Sequence, residues 1–362
     1  MSIFVTKAFL PPKAEYQAYI DEIYKSNWLT NNGPLLQKLE AKLRSHLDIS
    51  DLLYVSNGTI AIQLAIKALK LSGEIITTPY SYCATTTSIL WENCRPVFAD
   101  INPTDLNINA DLIESKITDK TSAILATHVY GNPCDVEAIA AIGKKHNIPV
   151  IYDAAHAFNV KLNGKSLLSY GDVATCSFHA TKVFHTVEGG AIVVNGNKAL
   201  FDKLWYYRSF GHVNDNYESM GINAKNSEFH AAMGLANLPH LGAIIADRKK
   251  ISERYDSQLS FEKIHKPVSL EKDFDYNYAY YPIVLPSESL TEKIIAALKA
   301  QDIFPRRYFY PSLNTLSYAS SQDQCPVSES VSLRVLSLPL YKDLAIKDVD
   351  IICQIINEVL SN

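Results

Sequence analysis

The sequence lacks the features that mark several classes of protein. Its six cysteines never form a C-x-x-C pair and lie among apolar neighbours, which is typical of buried thiols in a reducing cytoplasm and argues against a disulfide framework or a zinc site. No run approaches the roughly 18 apolar residues of a membrane-spanning helix, so we expect none. The opening segment MSIFVTKAFLPPK has no basic region followed by an apolar one, so we expect no secretory signal.

An excess of positive charge is also missing. The chain has 34 basic and 38 acidic residues, a net charge of −4, and no basic run, so nucleic acid is a poor candidate partner. Apolar residues make up 47% and charged residues 20% of the chain, which excludes a disordered, collagen-like or coiled-coil protein. A length of 362 residues predicts two domains.

From about residue 50 the chain alternates short apolar runs with helical patterns, which predicts a mostly parallel sheet covered by helices on both faces. The strand-like runs are 52–55, 74–79, 95–100, 122–128 and 149–155, followed by 175–178 and 191–196, and the helical patterns are 59–71 and 136–146. We expect the last of these strands to be antiparallel. The pattern changes near residue 245, with an aromatic strand predicted at 274–286 and an amphipathic helix at 339–360. We therefore predict a large α/β domain over residues 1–245 and a smaller α+β domain over residues 246–362.

The segment from Ser56 to Thr59 lies where a predicted strand ends and a helix begins. Free backbone N–H groups and the positive end of the helix dipole make such a junction suitable for a phosphate. Gly58 would allow a phosphate to approach the backbone, and Thr59 adds a hydroxyl. A simple helix cap is the alternative interpretation.

Asp153 ends the strongest apolar run and is followed at a spacing of three by His156. A carboxylate at the carboxyl edge of a parallel strand lies in the ligand crevice of an open α/β sheet. The alternatives are a helix cap for Asp153 and a core-filling role for His156.

Lys182 lies between small and hydroxyl residues on one side and Gly189-Gly190 on the other. A partly buried lysine can form a Schiff base, because burial lowers its pKa; a solvated surface charge is the alternative. Taken with a phosphate site and a strand-end aspartate, this lysine indicates pyridoxal 5'-phosphate, which needs an amine, an anion site and a carboxylate for its ring nitrogen.

The order of the motifs SNGT, TPYSYCATT, YDAAHAF and SFHATKVFHTVEGGA resembles the sugar aminotransferases of the DegT/DnrJ/EryC1/StrS family. The segments at 26–43, 221–238 and 305–313 are similar to its N-terminal, cross-subunit and substrate-binding segments, so the resemblance covers nearly the whole chain. It implies a fold-type I, pyridoxal-phosphate-dependent transferase with a mostly parallel central sheet and a smaller C-terminal α+β domain. It also implies a homodimer with shared active sites.

The resemblance implies a role for each matching residue. Lys182 would hold the cofactor as a Schiff base and move the proton, Asp153 would pair with the ring nitrogen, and His156, where the family often has glutamine, would approach the phenolic oxygen. Tyr82 would stack on the ring. The phosphate would be bound by Gly58, Thr59, Ser177 and, from the other subunit, Asn223. Candidate substrate contacts are Thr30, Asn31 and Arg307.

Two features bear on how closely the chain follows the family. It has Lys225 where the family usually has arginine, which leaves that phosphate or substrate contact open. It keeps Lys182, which relatives that act as dehydratases replace with histidine. His179 and His185 are six residues apart with no third ligand nearby, so we predict no metal site.

The phrase ATHVYGNPCDVEAIAAI together with DAAHAF most resembles enzymes that make dTDP-4-amino-4,6-dideoxyglucose for surface polysaccharide such as O-antigen. The expectation is a cytoplasmic transaminase that transfers the amino group of L-glutamate to a nucleotide-linked 4-keto-6-deoxyhexose. The alternatives are a 3-keto-sugar aminotransferase, an enzyme whose main substrate is a free amino acid, and a non-catalytic regulatory member of the fold, which should have lost Lys182 or Asp153. The nucleotide, the sugar stereochemistry and the pathway are not fixed by the sequence.

Overall fold

A seven-stranded sheet is the centre of the structure, a computed structural model that describes residues 2–319 and 321–361. The strands in chain order are β1 (Ile3–Phe4), β2 (Leu52–Val55), β3 (Glu74–Thr77), β4 (Arg95–Phe98), β5 (Thr121–Thr127), β6 (Val150–Asp153), β7 (Lys161–Leu162), β8 (Lys165–Ser166), β9 (Val173–Ser177), β10 (Gly190–Val194), β11 (His212–Val213), β12 (Asn216–Tyr217), β13 (Phe274–Asp275), β14 (Tyr281–Val284), β15 (Ile303–Phe304) and β16 (Val335–Leu338). The helices are α1 (Lys13–Ser26), α2 (Pro34–Leu47), α3 (Gly58–Ala68), α4 (Cys83–Trp91), α5 (Ala110–Ile113), α6 (Val136–His146), α7 (Lys198–Tyr207), α8 (Glu228–Asn237), α9 (Leu241–Gln258), α10 (Glu288–Lys299), α11 (Pro326–Arg334) and α12 (Ile346–Ser361).

The central sheet has the order β2-β10-β9-β6-β5-β3-β4. Every neighbouring pair is parallel except the two that β10 makes, with β2 and with β9. The carboxyl ends of β2, β9, β6 and β5 therefore open on the same edge. The predictions of a mostly parallel α/β sheet and of an antiparallel late strand are confirmed.

Successive side chains of each strand enter two different cores, because a strand alternates its faces. In β6, Val150 and Tyr152 belong to the core beneath α1, α2 and α8, whereas Ile151 belongs to the core beneath α3, α4 and α7. Both faces are covered, which explains why the strands read as continuous apolar runs. By the same alternation Asp153 is directed to the face that carries α3 and α4.

A further core lies among β14, β16, α9, α10 and α12. The aromatic segment predicted as one strand forms two, β13 and β14, because Tyr278 between them has a left-handed φ of 51°. Helix α9 runs through residue 245 without a break. The division into residues 1–245 and 246–362 stays a prediction.

In the described residues, the helical stretch Glu228–Gln258 is long and apolar enough, by length and composition alone, to cross a membrane. We expected no such stretch. Half of its most apolar 18-residue part is buried inside the protein. The core helix of a globular protein can be equally long and apolar. Its first part, α8, packs against α1 and α2, which accounts for its apolar composition.

Candidate active site

The start of α3 and the end of β9 meet at the carboxyl edge of the sheet. Asn57 caps α3, its side-chain oxygen accepting the Ile60 N–H at 2.8 Å, so Gly58 is the first helical residue. A side chain on Gly58 would place its Cβ 3.0 Å from Cβ of Ser177. Gly58, Thr59 and Ser177 thus come together at a helix N-terminus, where the dipole favours an anion.

Gly190 of β10 closes this junction from the side. It pairs with Val55 and Ser177 across the two neighbouring strands. A Cβ on Gly190 would lie 2.5 Å from the carbonyl carbon of Asn57, too close for any side chain. The glycine that follows Lys182 in the sequence motif is therefore required by the packing of the backbone.

Asp153 is a buried carboxylate with two hydrogen-bond donors. Thr85 Oγ1 donates to Oδ2 at 2.7 Å, and the Ala155 N–H donates to Oδ1 at 3.1 Å. Burial raises the pKa of Asp153, while the Thr85 hydroxyl, the Ala155 amide and the positive charge of Lys182 act to lower it. A positively charged partner would stabilise the ionised form of such a buried carboxylate.

Thr85 is the end of a buried chain of hydroxyls. Because its own proton is donated to Asp153, Thr85 Oγ1 accepts from Ser81 Oγ, 2.8 Å away. Thr127 Oγ1 donates in turn to Ser81 Oγ at 3.2 Å. All three hydroxyl residues are at most 2% exposed. This series of hydrogen bonds orients the hydroxyl hydrogen of Thr85 toward the carboxylate of Asp153.

His156 follows Asp153 and the end of β6, and its ring is neutral. Its Nδ1 accepts the backbone N–H of Tyr130 at 3.2 Å, so Nε2 is the nitrogen that carries the proton. Burial, and then the positive charge of Lys182, hold the pKa of His156 well below its ordinary value. The ring stacks on Phe309 at 5.5 Å and meets Tyr280 edge-on at 4.9 Å.

Lys182 is a half-buried amine on the loop between β9 and β10. This loop is held closed by the Phe178 N–H donating to the Gly189 carbonyl at 2.7 Å. Lys182 Nζ lies 3.4 Å from the hydroxyl of Tyr280, which immediately precedes β14. The C-terminal part of the chain thus contributes directly to the surroundings of the lysine.

Tyr82 occupies the cap position of α4 and leaves 59% of its surface exposed. Thr85 follows it in the first turn of the same helix. One helical turn therefore carries both the exposed ring and the donor to Asp153.

Four predicted residues lie apart from this group. Thr30 and Asn31 are exposed in the loop before α2, where the Thr30 carbonyl accepts from Trp28 Nε1 at 2.5 Å. Asn223 is exposed and pairs through its backbone with Ser209. Arg307 is paired with Glu288 and Glu292 of α10. In the described part of the chain none of the four forms a hydrogen bond or ion pair with Lys182, and their roles stay predictions.

The sequence did not single out Thr85 or Tyr280. Thr85 has a local signal, since it lies three residues after Tyr82 at the start of a helix. Tyr280 has none, because it is 98 residues from Lys182 and is one of many tyrosines in its segment. Among the described residues, no group of three or more His, Cys, Asp or Glu is arranged to hold a metal ion.

Residues 12–357 match the model of the DegT/DnrJ/EryC1/StrS aminotransferase family. The chain belongs to this family. It is 40% identical over 363 residues to the dTDP-4-amino-4,6-dideoxy-D-glucose transaminase of Shigella dysenteriae, with 99% of each chain covered. It is 38% identical over 356 residues to the Escherichia coli protein of the same name, with 95% of each chain covered.

Among solved structures, DesI in the presence of its TDP-sugar product superposes with a TM-score of 0.91 at 28% identity, covering 99% of this chain and 92% of that one. The predictions of the family and of a sugar aminotransferase are confirmed. A structure described as the PLP form of a putative sugar aminotransferase from Streptococcus pneumoniae has the same fold, with a TM-score of 0.90 at 23% identity over 98% of this chain and 99% of that one.

Proposed function

We propose that this aminotransferase uses pyridoxal 5'-phosphate to transfer the amino group of L-glutamate to a dTDP-linked 4-keto-6-deoxyhexose, giving dTDP-4-amino-4,6-dideoxyglucose. It acts as a cytoplasmic homodimer, and its product serves surface polysaccharide. The observation that carries the proposal is that Lys182 and His156 line one cavity and that the charge of Lys182 acts on the buried Asp153.

The residues present fit this cofactor. Pyridoxal phosphate needs an amine for its aldehyde, an anion site, and a carboxylate for its ring nitrogen. Burial raises the pKa of Asp153, so the positive charge of a protonated ring nitrogen would stabilise the ionised form of this carboxylate. The N-terminus of α3, with Gly58 as its first residue and Ser177 beside it, suits a phosphate.

When bound, the cofactor supplies an electron sink for the substrate carbon that loses its proton. Asp153 would hold the proton on the ring nitrogen through a charge-assisted hydrogen bond. Lys182 Nζ would hold the cofactor at its aldehyde, and as the nearby amine it would accept the proton from one carbon and return it to another.

Other residues orient the ring. His156 would donate from Nε2 to the phenolic oxygen, because its Nδ1 accepts the Tyr130 N–H. Tyr82 would cover the exposed face of the ring. The hydroxyls of Thr59 and Ser177 would hold the phosphate at the start of α3, whose first residue is Gly58.

A shared site is supported by the surface around Asn223. Five large apolar side chains are exposed within 13 residues of it, namely Phe210, Val213, Tyr217, Met220 and Ile222. Clusters of this kind mark protein–protein contacts. In a two-fold dimer this surface would bring Asn223 of one subunit to the phosphate of the other.

The substrate proposal rests on the two relatives at 38–40% identity. To test it, the purified holoenzyme is incubated with glutamate and a panel of dTDP-, UDP- and GDP-linked keto-sugars, with Lys182→Ala as the inactive control. We expect a product of amino-sugar mass from the dTDP-4-keto-6-deoxyhexose, with nitrogen on C4 by NMR. Nitrogen on C3, or no product from any sugar nucleotide, would contradict the proposal. Free keto-hexose should be a very poor substrate, since the nucleotide supplies binding energy away from the reacting carbon.

A further inference from the structure

Two adjacent arginines precede the aromatic segment Tyr308–Tyr310. Arg306 lies over the Tyr308 ring and Arg307 over the Tyr310 ring, but their charged neighbours differ. Arg307 has a side chain only 16% exposed and is paired with Glu288 at 3.3 Å and Glu292 at 3.5 Å. Arg306 is exposed, and in residues 2–319 and 321–361 it forms no ion pair. The charge of Arg307 is neutralised within the fold, whereas that of Arg306 is available.

The backbone of Arg306 is fixed by β16. Its N–H donates to the Ser337 carbonyl at 3.2 Å, and the Ser337 N–H donates back to its carbonyl at 2.8 Å. The guanidinium carbon of Arg306 lies 5.1 Å from the centre of the Tyr308 ring.

A continuous series of contacts joins Arg306 to the lysine. The Tyr308 ring is 5.6 Å from the Tyr280 ring, and the Tyr280 hydroxyl is 3.4 Å from Lys182 Nζ. Burial raises the pKa of Tyr308, and the positive charges of Arg306 and Lys182 oppose this rise. Arg306 thus lies at the candidate site, separated from Lys182 by two aromatic rings.

We propose that Arg306, in place of Arg307, binds the diphosphate of the nucleotide sugar; this inference rests on the proposed function. A guanidinium that is stacked on a ring keeps its in-plane N–H groups free for two parallel hydrogen bonds to phosphate oxygens. The stacking on Tyr308 also limits the orientations that must be lost on binding.

A carboxylate of glutamate is the other anion that the enzyme binds. The α-carboxylate is attached to the carbon whose nitrogen and proton are transferred, so its partner must lie immediately beside Lys182. The diphosphate is separated from the reacting carbon by the sugar ring. The aromatic rings of Tyr280 and Tyr308 likewise separate Arg306 from Lys182. This separation fits a diphosphate and does not fit an α-carboxylate.

The test measures the binding of dTDP to the holoenzyme by calorimetry for Arg306→Gln, Arg306→Lys and Arg307→Gln. Arg254→Gln is the charge control, since Arg254 is paired with Asp350 of α12. We expect Arg306→Gln to weaken dTDP binding about 10- to 100-fold, as for the loss of hydrogen bonds to a charged group. Arg306→Lys should retain part of the affinity because it keeps the charge but not the paired geometry, and Arg254→Gln should bind as the parent does.

The dependence of the glutamate half-reaction on glutamate concentration distinguishes the two anions. It should be unchanged in Arg306→Gln. A loss of glutamate saturation with dTDP binding intact would overturn the proposal in favour of a carboxylate site. An equal loss of dTDP binding in Arg307→Gln and Arg306→Gln would also overturn the proposal. Unchanged dTDP binding in both variants would overturn it as well. Failure of the parent to bind dTDP is a separate outcome, which refutes the proposed function together with this inference.

Discussion

Replacing Thr85 by valine removes one hydroxyl from the buried Asp153 and keeps the shape of the side chain. The carboxylate would retain the Ala155 N–H as its remaining protein donor. Ser81, which donates to Thr85, would lose its acceptor. The substitution therefore acts on the ionised form of Asp153, which in the proposed function holds the proton on the cofactor.

The size of the effect follows from the burial of the donor. A hydrogen bond to a charged group contributes about 1.5–3 kcal/mol, and Thr85 is fully buried, so solvent replaces little of it. Because about 1.4 kcal/mol corresponds to a factor of ten, we expect the step in which glutamate gives up its amino group to slow about ten- to a hundredfold.

Rapid mixing of the holoenzyme with glutamate, followed by the absorbance of the cofactor, measures this step. Thr87→Val is the matched control, because Thr87 is on the same helix and its hydroxyl, among residues 2–319 and 321–361, donates to the backbone carbonyls of Cys83 and Ala84 and to no side chain. The loss of the Thr85 donor raises the pKa of Asp153 further, so less of the carboxylate is ionised at low pH. The deficit of Thr85→Val should consequently shrink as the pH rises. If Thr85→Val and Thr87→Val have the same rate at every pH, Thr85 does not maintain the charge of Asp153.

Three other predictions concern the remaining site residues. Borohydride reduction of the holoenzyme and peptide mapping should place the pyridoxyl mass on Lys182, and label on a different lysine would refute this assignment. In cofactor-free protein, burial raises the folded-state pKa of Asp153 above its unfolded value, so the folded state binds more protons between these two values and the parent loses stability as the pH rises through them. The free energy of unfolding of Asp153→Asn, measured with denaturant from about pH 4 to 8, should therefore exceed that of the parent by an amount that grows with pH and then levels off; a constant difference would contradict the burial argument. Finally, coexpressed Lys182→Ala and Asn223→Asp chains should recover activity above either homodimer, because one of the two shared sites in a mixed dimer is intact; no gain in the purified heterodimer would place Asn223 outside the partner's site.

The parts of the site that the sequence predicts are those with a local signal. Asp153 ends an apolar run, Ser177 lies near the end of another, and Gly58 follows a third, so their place at the edge of a parallel sheet follows from the pattern along the chain. The donor to Asp153 could not be predicted in this way. Thr85 is 68 residues away in sequence, and the contact depends on which face of the sheet α4 covers.

The two arginines illustrate the same limit. An RR pair gives no indication of which member is neutralised, since the answer depends on Glu288 and Glu292 at the start of another helix. The aromatic segment at 274–286 is a second case in which the sequence pattern did not predict the structure. Its composition favours a strand throughout, but Tyr278 in a left-handed conformation divides it, and Tyr280 in the second half is the residue that reaches Lys182.

The position of β10 between β2 and β9 has a consequence for the order in which the chain can fold during synthesis. Strand β2 is at the end of the sheet, and in the described part of the chain its one neighbour there is β10, which follows it by more than 130 residues. Until the ribosome has released residue 194, β2 lacks this partner. A nascent chain at that stage exposes an unpaired apolar strand, which is an aggregation hazard. The pairing of Gly190 with both Val55 and Ser177 therefore joins β2 to the rest of the sheet, and it can form only after β10 has been synthesised.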